Sequence, residues 1–377
     1  MRAASSSCAV LSGLAVSVIS AVCLVHVGRV PVSPAAPVQQ WPDPSDARFA
    51  ERGDFGAGFR TIAQGRVKQP ESVIVDGDGA VCGGSSDGFI WKVDPSSGHA
   101  TEWAFVGGRP LGLAFDKDGH LLVCEPTQGL IRVDKHSKQV TVVAKRTTDL
   151  LKSRIVYAND VDVAPNGDIY FSDATNLSST VDVYGHVSTL HTSKIDLMFG
   201  YPAGRLLRVD PATGDTRIVI DQLQFANGVA VAHDGSFVLV AETYGRRVWR
   251  VWLAGDRRGV KEVFVDELPG FPDGVSKSPD GTFWVAIISE VPPSVPIIVK
   301  WAWVRQLLIA VPGLANLVKP MMMGMAIQLD ATGRVLQTLY GKSASSTVPH
   351  SVSSVAASGK TLFIGSLHDD GIGVKSM

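Results

Sequence analysis

Residues 225–252 read FANGVAVAHDGSFVLVAETYGRRVWRVW, and this stretch decides the fold. A polar turn at Ala226-Asn227-Gly228 leads into Val229-Ala230-Val231, and Asp234-Gly235 makes a second turn. Apolar runs follow at 237–241 and 247–252, separated by Tyr244-Gly245-Arg246. Three short β-type runs divided by Gly-centred turns predict an antiparallel meander. The phrase recurs at Pro70-Glu71-Ser72-Val73, closing at Asp78-Gly79, and at Pro110-Leu111-Gly112-Leu113, closing at Asp118-Gly119. It returns at Ala158-Asn159-Asp160-Val161, closing at Asn166-Gly167, and at Pro272-Asp273-Gly274-Val275, closing at Asp280-Gly281. A degenerate sixth copy runs from His350 to Gly359. Copies mostly about 40–50 residues apart predict an all-β, six-bladed β-propeller. The longer gaps before Asn227 and before His350 mark insertions.

The chain has 377 residues, a formal charge of −1 and 45% hydrophobic residues, which suits one large propeller over 55–377. The balanced charge gives no electrostatic reason for a nucleic-acid partner. Residues 8–28 carry no charge apart from His26. A run of about 20 apolar residues is long enough to span a bilayer and longer than the core of a cleaved signal peptide. Residues 1–29 are therefore read as an N-terminal transmembrane signal anchor, with the propeller lumenal or extracellular. Cleavage as a signal peptide would make the protein secreted. Residues 30–54, rich in Pro and Ala, read as a linker or wrapping segment. Cys82 and Cys124 read as buried thiols, with a disulfide as the alternative in an oxidising compartment.

Two insertions interrupt the repeat. The one between Asp173 and Arg205 carries the glycosylation sequon Asn176-Leu177-Ser178 and reads as a long loop over one face. The other, Val291 to Met325, includes KWAWVRQLL and predicts a short amphipathic helix packed across the propeller mouth, with a membrane-contacting lip as the alternative.

The first strand of each blade lines a propeller's central channel, so equivalent positions converge on the axis. The repeat aligns Glu71, Leu111, Asn159, Asn227, Asp273 and Ser351 there. Two carboxylates and two carboxamides offer hard oxygen donors, a set that suits Ca2+ completed by water or substrate. Asn and Asp before Gly are also ordinary turn residues, but Glu71 is not a turn former and Asn159 precedes Asp160.

The stretches YANDVDVAPNGDIYFSDAT, FANGVAVAHDGSFVLVAET and LPGFPDGV resemble the strictosidine synthase-like family over about Phe59 to Lys375. Its wider superfamily includes paraoxonases, diisopropyl fluorophosphatase and the gluconolactonase/regucalcin group. The resemblance implies a six-bladed propeller with calcium held by Glu71, Asn159, Asn227 and Asp273. It also places Ser353 where strictosidine synthase has its catalytic Glu, which argues against amine–aldehyde condensation. The expected activity is calcium-dependent hydrolysis of an ester or lactone of the arylesterase kind, on a small-molecule substrate. His350, Asp160 or Asp273 would assist the attacking water. A condensing enzyme and a non-catalytic calcium-stabilised binding propeller are the alternatives.

Overall fold

The structure, a computed structural model, describes residues 30–34, 46–50, 53–181, 187–311, 313–342 and 349–377. The apolar segment 8–28 lies outside them. Among the described residues no helix is long and apolar enough to cross a membrane.

Six antiparallel sheets of four principal strands make the propeller. Their innermost strands are Val73–Val75, Leu113–Phe115, Ala158–Val163, Ala226–Val231, Gly270–Lys277 and Ser354–Ser358, which open blades 1 to 6 in that order. Residues Gly79, Gly119, Gly167, Gly235 and Gly281 hold the turns between first and second strands of blades 1 to 5, all at φ between 71 and 96°. That backbone favours glycine because a Cβ is penalised there. The ring closes in blade 6, where strand Phe59–Ile62 supplies the outer edge by pairing Phe59 with Lys375. Residues 53–54 pair in parallel with Leu339 and Tyr340 on the edge of blade 5. Apolar side chains such as Leu121, Phe171, Leu239 and Ile327 fill the space between blades. Cys82 and Cys124 are buried and free, which matches the thiol reading.

Two expectations about the axial positions are corrected. Ala226-Asn227-Gly228 is not a turn: it lies inside the innermost strand of blade 4, as Asp273-Gly274 does in blade 5. The pairing slips between Ala226 and Val229, between Pro272 and Val275 and between Ala158 and Val161, so each strand bulges at its axial residue. The glycine is there because the next blade comes close. A Cβ on Gly228 would sit 2.1 Å from the Val275 nitrogen, and one on Gly112 would sit 2.4 Å from the Asp160 Cα.

The second correction concerns blade 6. Val355 pairs with Ile364 as Val275 pairs with Val285 and Val229 with Val240. The Gly274 N–H donates to the Ser353 carbonyl as Gly112 N–H does to Asn159, each at 2.8 Å. The axial residue of blade 6 is therefore Ser353, and Ser351 lies two residues before it.

Both insertions leave their blades after the second strand, on the same face. The first forms a short hairpin, Thr180–Val181 with Val187–Ser188, and helix α1, Thr189–Phe199, stopped by Gly200 at φ 69°. The second forms two helices rather than one: α2, Ser294–Lys300, and α3, Ala302–Ala310. Leu197, Met198, Val295, Val299 and Val318 pack with Leu111, Tyr157, Phe225, Tyr244 and Phe271 of the blades in one apolar cluster. The helices thus roof the mouth, as the sequence predicted for the second insertion.

Candidate functional site

Glu71, Asn159, Asn227 and Asp273 all line one cavity of about 110 Å³ beneath this roof. Each comes from a different blade, and each is buried, with 4–8% of its surface exposed. Glu71 Oε2 and Asp273 Oδ2 are enclosed without a hydrogen-bond partner. Burial pushes the Glu71 carboxyl well above the usual carboxylate range; the Asp273 charge adds to this and Arg109 opposes it. Burial likewise pushes Asp273 up to about 7, against the neighbouring Asn227 carboxamide. Two unpartnered buried carboxylates cost several kcal/mol unless they are protonated or neutralised by a cation. Hard oxygen donors from two carboxylates and two carboxamides fit a calcium-type ion. Among the described residues no group of three or more His, Cys, Asp or Glu could hold a metal, so an ion here would depend on the two carboxamides as well.

The remaining two axial positions are not donors to this ring. Leu111 is fully buried in the apolar cluster. The Ser353 hydroxyl donates to the Glu71 carbonyl at 2.6 Å, which fixes the backbone of the ring across the closure between blades 6 and 1.

Asp160 does not line this cavity. Its carboxylate accepts the Val229 N–H at 2.8 Å and the Val161 N–H at 2.9 Å, and it faces a second opening at the other end of the channel, with Asp162 and Lys277. Burial lifts its carboxyl to about 7 against those two donors. It ties blade 3 to blade 4 from below the ring.

His350 also lies away from the cavity lining. Its side chain is 54% exposed, and its Nδ1 is paired with Asp369. The histidine that does line the cavity is His368. Its Nδ1 lies 3.0 Å from the Ser351 hydroxyl, which in turn lies 3.0 Å from Ser366 Oγ. Burial lowers the His368 pKa, with Asp369 opposing. Burial thus favours the neutral imidazole, and Ser351 engages its Nδ1.

Sequence reasoning missed His368, Thr243 and Tyr244, which follow the second strands of blades 6 and 4. The available signal was the repeat itself: in blades 4 and 6 the residues just past the second strand line the cavity beside the ring. Thr243 Oγ1 accepts the Asn227 amide at 3.2 Å and donates to the Pro272 carbonyl at 2.9 Å, which orients that carboxamide. The Tyr244 hydroxyl donates to the Ser193 carbonyl at 2.6 Å and so fastens α1 to blade 4. Phe225, Phe271 and Leu197 complete an apolar wall, and Lys194 and Lys319 stand at the lip.

The profile of the SMP-30/gluconolactonase/LRE-like region matches residues 70–292. Strictosidine synthase-like protein 4 of Arabidopsis thaliana is 32% identical over 259 residues, covering 67% of this chain and 66% of that protein. The adipocyte plasma membrane-associated protein of Rattus norvegicus is 31% identical over 239 residues, 60% of each chain. The match therefore spans a little under two thirds of these relatives. Among solved structures, a calcium-binding regucalcin from Agrobacterium tumefaciens superposes with a TM-score of 0.54 at 17% identity, covering 84% of this chain and 93% of its own. That likeness shows the fold.

Proposed function

Because the chain belongs to the SMP-30/gluconolactonase/LRE-like family, we propose that it is a calcium-dependent hydrolase of esters or lactones, working in the roofed cavity. The observation that carries this reading is the pair of buried, unpartnered carboxylate oxygens, Glu71 Oε2 and Asp273 Oδ2, facing one cavity with two carboxamides. Glu71, Asn159, Asn227 and Asp273 would hold the ion. A bound calcium supplies a Lewis acid for a substrate carbonyl oxygen and balances the two carboxylates.

The rest falls to side chains around the ring. His368, with Nδ1 engaged by Ser351, would accept a proton from the water attacking the carbonyl carbon and return it to the alcohol oxygen that leaves as the acyl C–O bond breaks. It takes the role that the sequence assigned to His350. Tyr157, Phe225, Tyr244 and Phe271 bind an apolar or aryl body, and the roof limits competing water. Ser353, spent on the Glu71 carbonyl, offers no group for the proton transfers of amine–aldehyde condensation. Residues 1–29 would attach the protein to a membrane of the secretory pathway.

The test is a panel of aryl esters and lactones offered to the purified full chain with calcium and with a chelator. Turnover that needs calcium, and that His368→Ala abolishes while calcium affinity stays unchanged, is the expected result. Calcium binding without turnover of any substrate would leave a binding propeller, and turnover indifferent to chelator would refute the reading.

A further inference from the structure

The roof helices bury one side and expose the other. Underneath, Val295, Val299 and Arg305 are shielded; outside, Ile297 is 64%, Trp303 61%, Leu317 71% and Trp301 49% exposed. On α3, Trp303 and Leu307 are one helical turn apart, and Val311 continues the stripe just past its end, opposite the buried Arg305. Exposed apolar residues scattered singly are ordinary, but six large ones on one two-helix insertion mark an interaction surface.

Two further observations identify the partner. The stretch 291–329 contains no acidic residue, and its exposed cations are Lys300 and Lys319; Lys300 Nζ lies over the Trp301 ring at 5.4 Å. Tryptophans beside an exposed lysine, on a face without acidic residues, suit an anionic lipid interface. The second observation is where the chain enters the roof. Gln306 Nε2 donates to the Val30 carbonyl at 3.0 Å, Arg305 to the Ser33 carbonyl at 2.6 Å, and Ser33 N–H to the Phe199 carbonyl at 2.8 Å. Residues 30–33 are thus fastened to α3 and to the end of α1. The uncharged run 8–28 is joined to Val30 through Arg29 alone, so a bilayer entered by that run lies beside α3.

We propose that the outer face of the roof, formed by Ile297, Trp301, Trp303, Leu307, Val311 and Leu317, docks on an anionic phospholipid bilayer, the one entered by residues 8–28. The propeller then lies with its cavity face toward the membrane, and amphiphilic molecules partitioned in the lipid reach Lys194 and Lys319 at the cavity lip first. The orientation does not depend on what the cavity does chemically.

Tryptophan quenching tests it. The full chain is reconstituted in phosphatidylcholine/phosphatidylserine vesicles whose acyl chains are either brominated or plain. Wild-type emission should lose a component in brominated vesicles. Trp301→Phe/Trp303→Phe, checked for a native circular dichroism spectrum, should lack that component, and Trp91→Phe, a change inside blade 1, should retain it. Each single roof variant should lose part of it, which preserves the test if the double variant folds poorly. Omitting phosphatidylserine or raising the salt should weaken the quenching, as for a screened surface attraction. Equal quenching of wild type and double variant would overturn the proposal. So would roof tryptophans that emit as buried yet escape bromine, because the face would then be covered by residues 8–28 or by a second copy of the chain.

Discussion

Asp273→Asn should stabilise the calcium-free protein and weaken the calcium-bound one. The carboxyl of Asp273 is raised from 3.8 to about 7, mainly by burial. A folded-state pKa above the unfolded one means that ionisation is penalised by folding. The penalty is absent below pH 4, grows as pH rises through about 7, and is complete above it. A shift of that size corresponds to about 4 kcal/mol. This is a ceiling, because a proton on either Asp273 or Glu71 also relieves the repulsion between them. In chelator, wild-type stability should therefore fall from pH 5 to pH 8, and Asp273→Asn should flatten that decline and be the more stable protein at pH 8. With free calcium at 100 times Kd, the wild type should recover about 2.7 kcal/mol, and the variant much less. Urea unfolding at the two pH values, with calcium and with chelator, reads all four combinations. An Asp273→Asn protein less stable than wild type in chelator at pH 8 would refute the reasoning, because the carboxylate would then be satisfied without a cation.

Other outcomes follow from packing and exposure. Gly228→Ala would place a Cβ 2.1 Å from the Val275 nitrogen, a clash that only movement between blades 4 and 5 can relieve. It should cost on the order of 3 kcal/mol and reduce calcium affinity, whereas Gly77→Ala, with nothing within 4 Å of its Cβ, should do neither; thermal unfolding and calcium titration compare the two. Tyr244→Phe removes the 2.6 Å bond to the Ser193 carbonyl, so it should cost about 1–2 kcal/mol and speed hydrogen exchange in α1. Asn176 is exposed, so expression in a eukaryotic host with the propeller outside the cytosol should glycosylate it. An unchanged gel mobility after glycosidase treatment would contradict that orientation.

The blades and the four candidate donors were legible because a propeller repeats one sentence: each Gly-centred turn and each axial residue appears several times in register. What the repeat could not convey was its neighbour. Asn227-Gly228 and Asp273-Gly274 have the same letters whether the glycine makes a turn or yields to an adjacent strand, and only the approach of the next blade decides. The run SVSSV offered two alternating registers, and Ser351 was aligned where Ser353 belongs because the first-to-second-strand turn of blade 6 lacks the Asp-Gly of the others. His350 and His368 are both loop histidines in sequence. Pairing with Asp369 holds one at the surface, and the bond to Ser351 sets the other in the cavity. The helix expected at KWAWVRQLL is α3; α2 precedes it, holds Pro296, and is separated from it by the extended backbone of Trp301, so its own apolar pattern is too short to stand out.

Calorimetric titration of calcium into wild type, Asp273→Ala, Asn227→Ala and Leu111→Ala measures the central claim most directly. Leu111 occupies the same repeat position in a blade without a donor, and it is fully buried. Its truncation should cost about 2–5 kcal/mol of stability while leaving calcium affinity near the wild-type value. Asp273→Ala should weaken binding most, because it removes a donor and one of two balancing charges, and Asn227→Ala should weaken it less. Equal affinity in all four proteins would show that no ion is held by the axial ring.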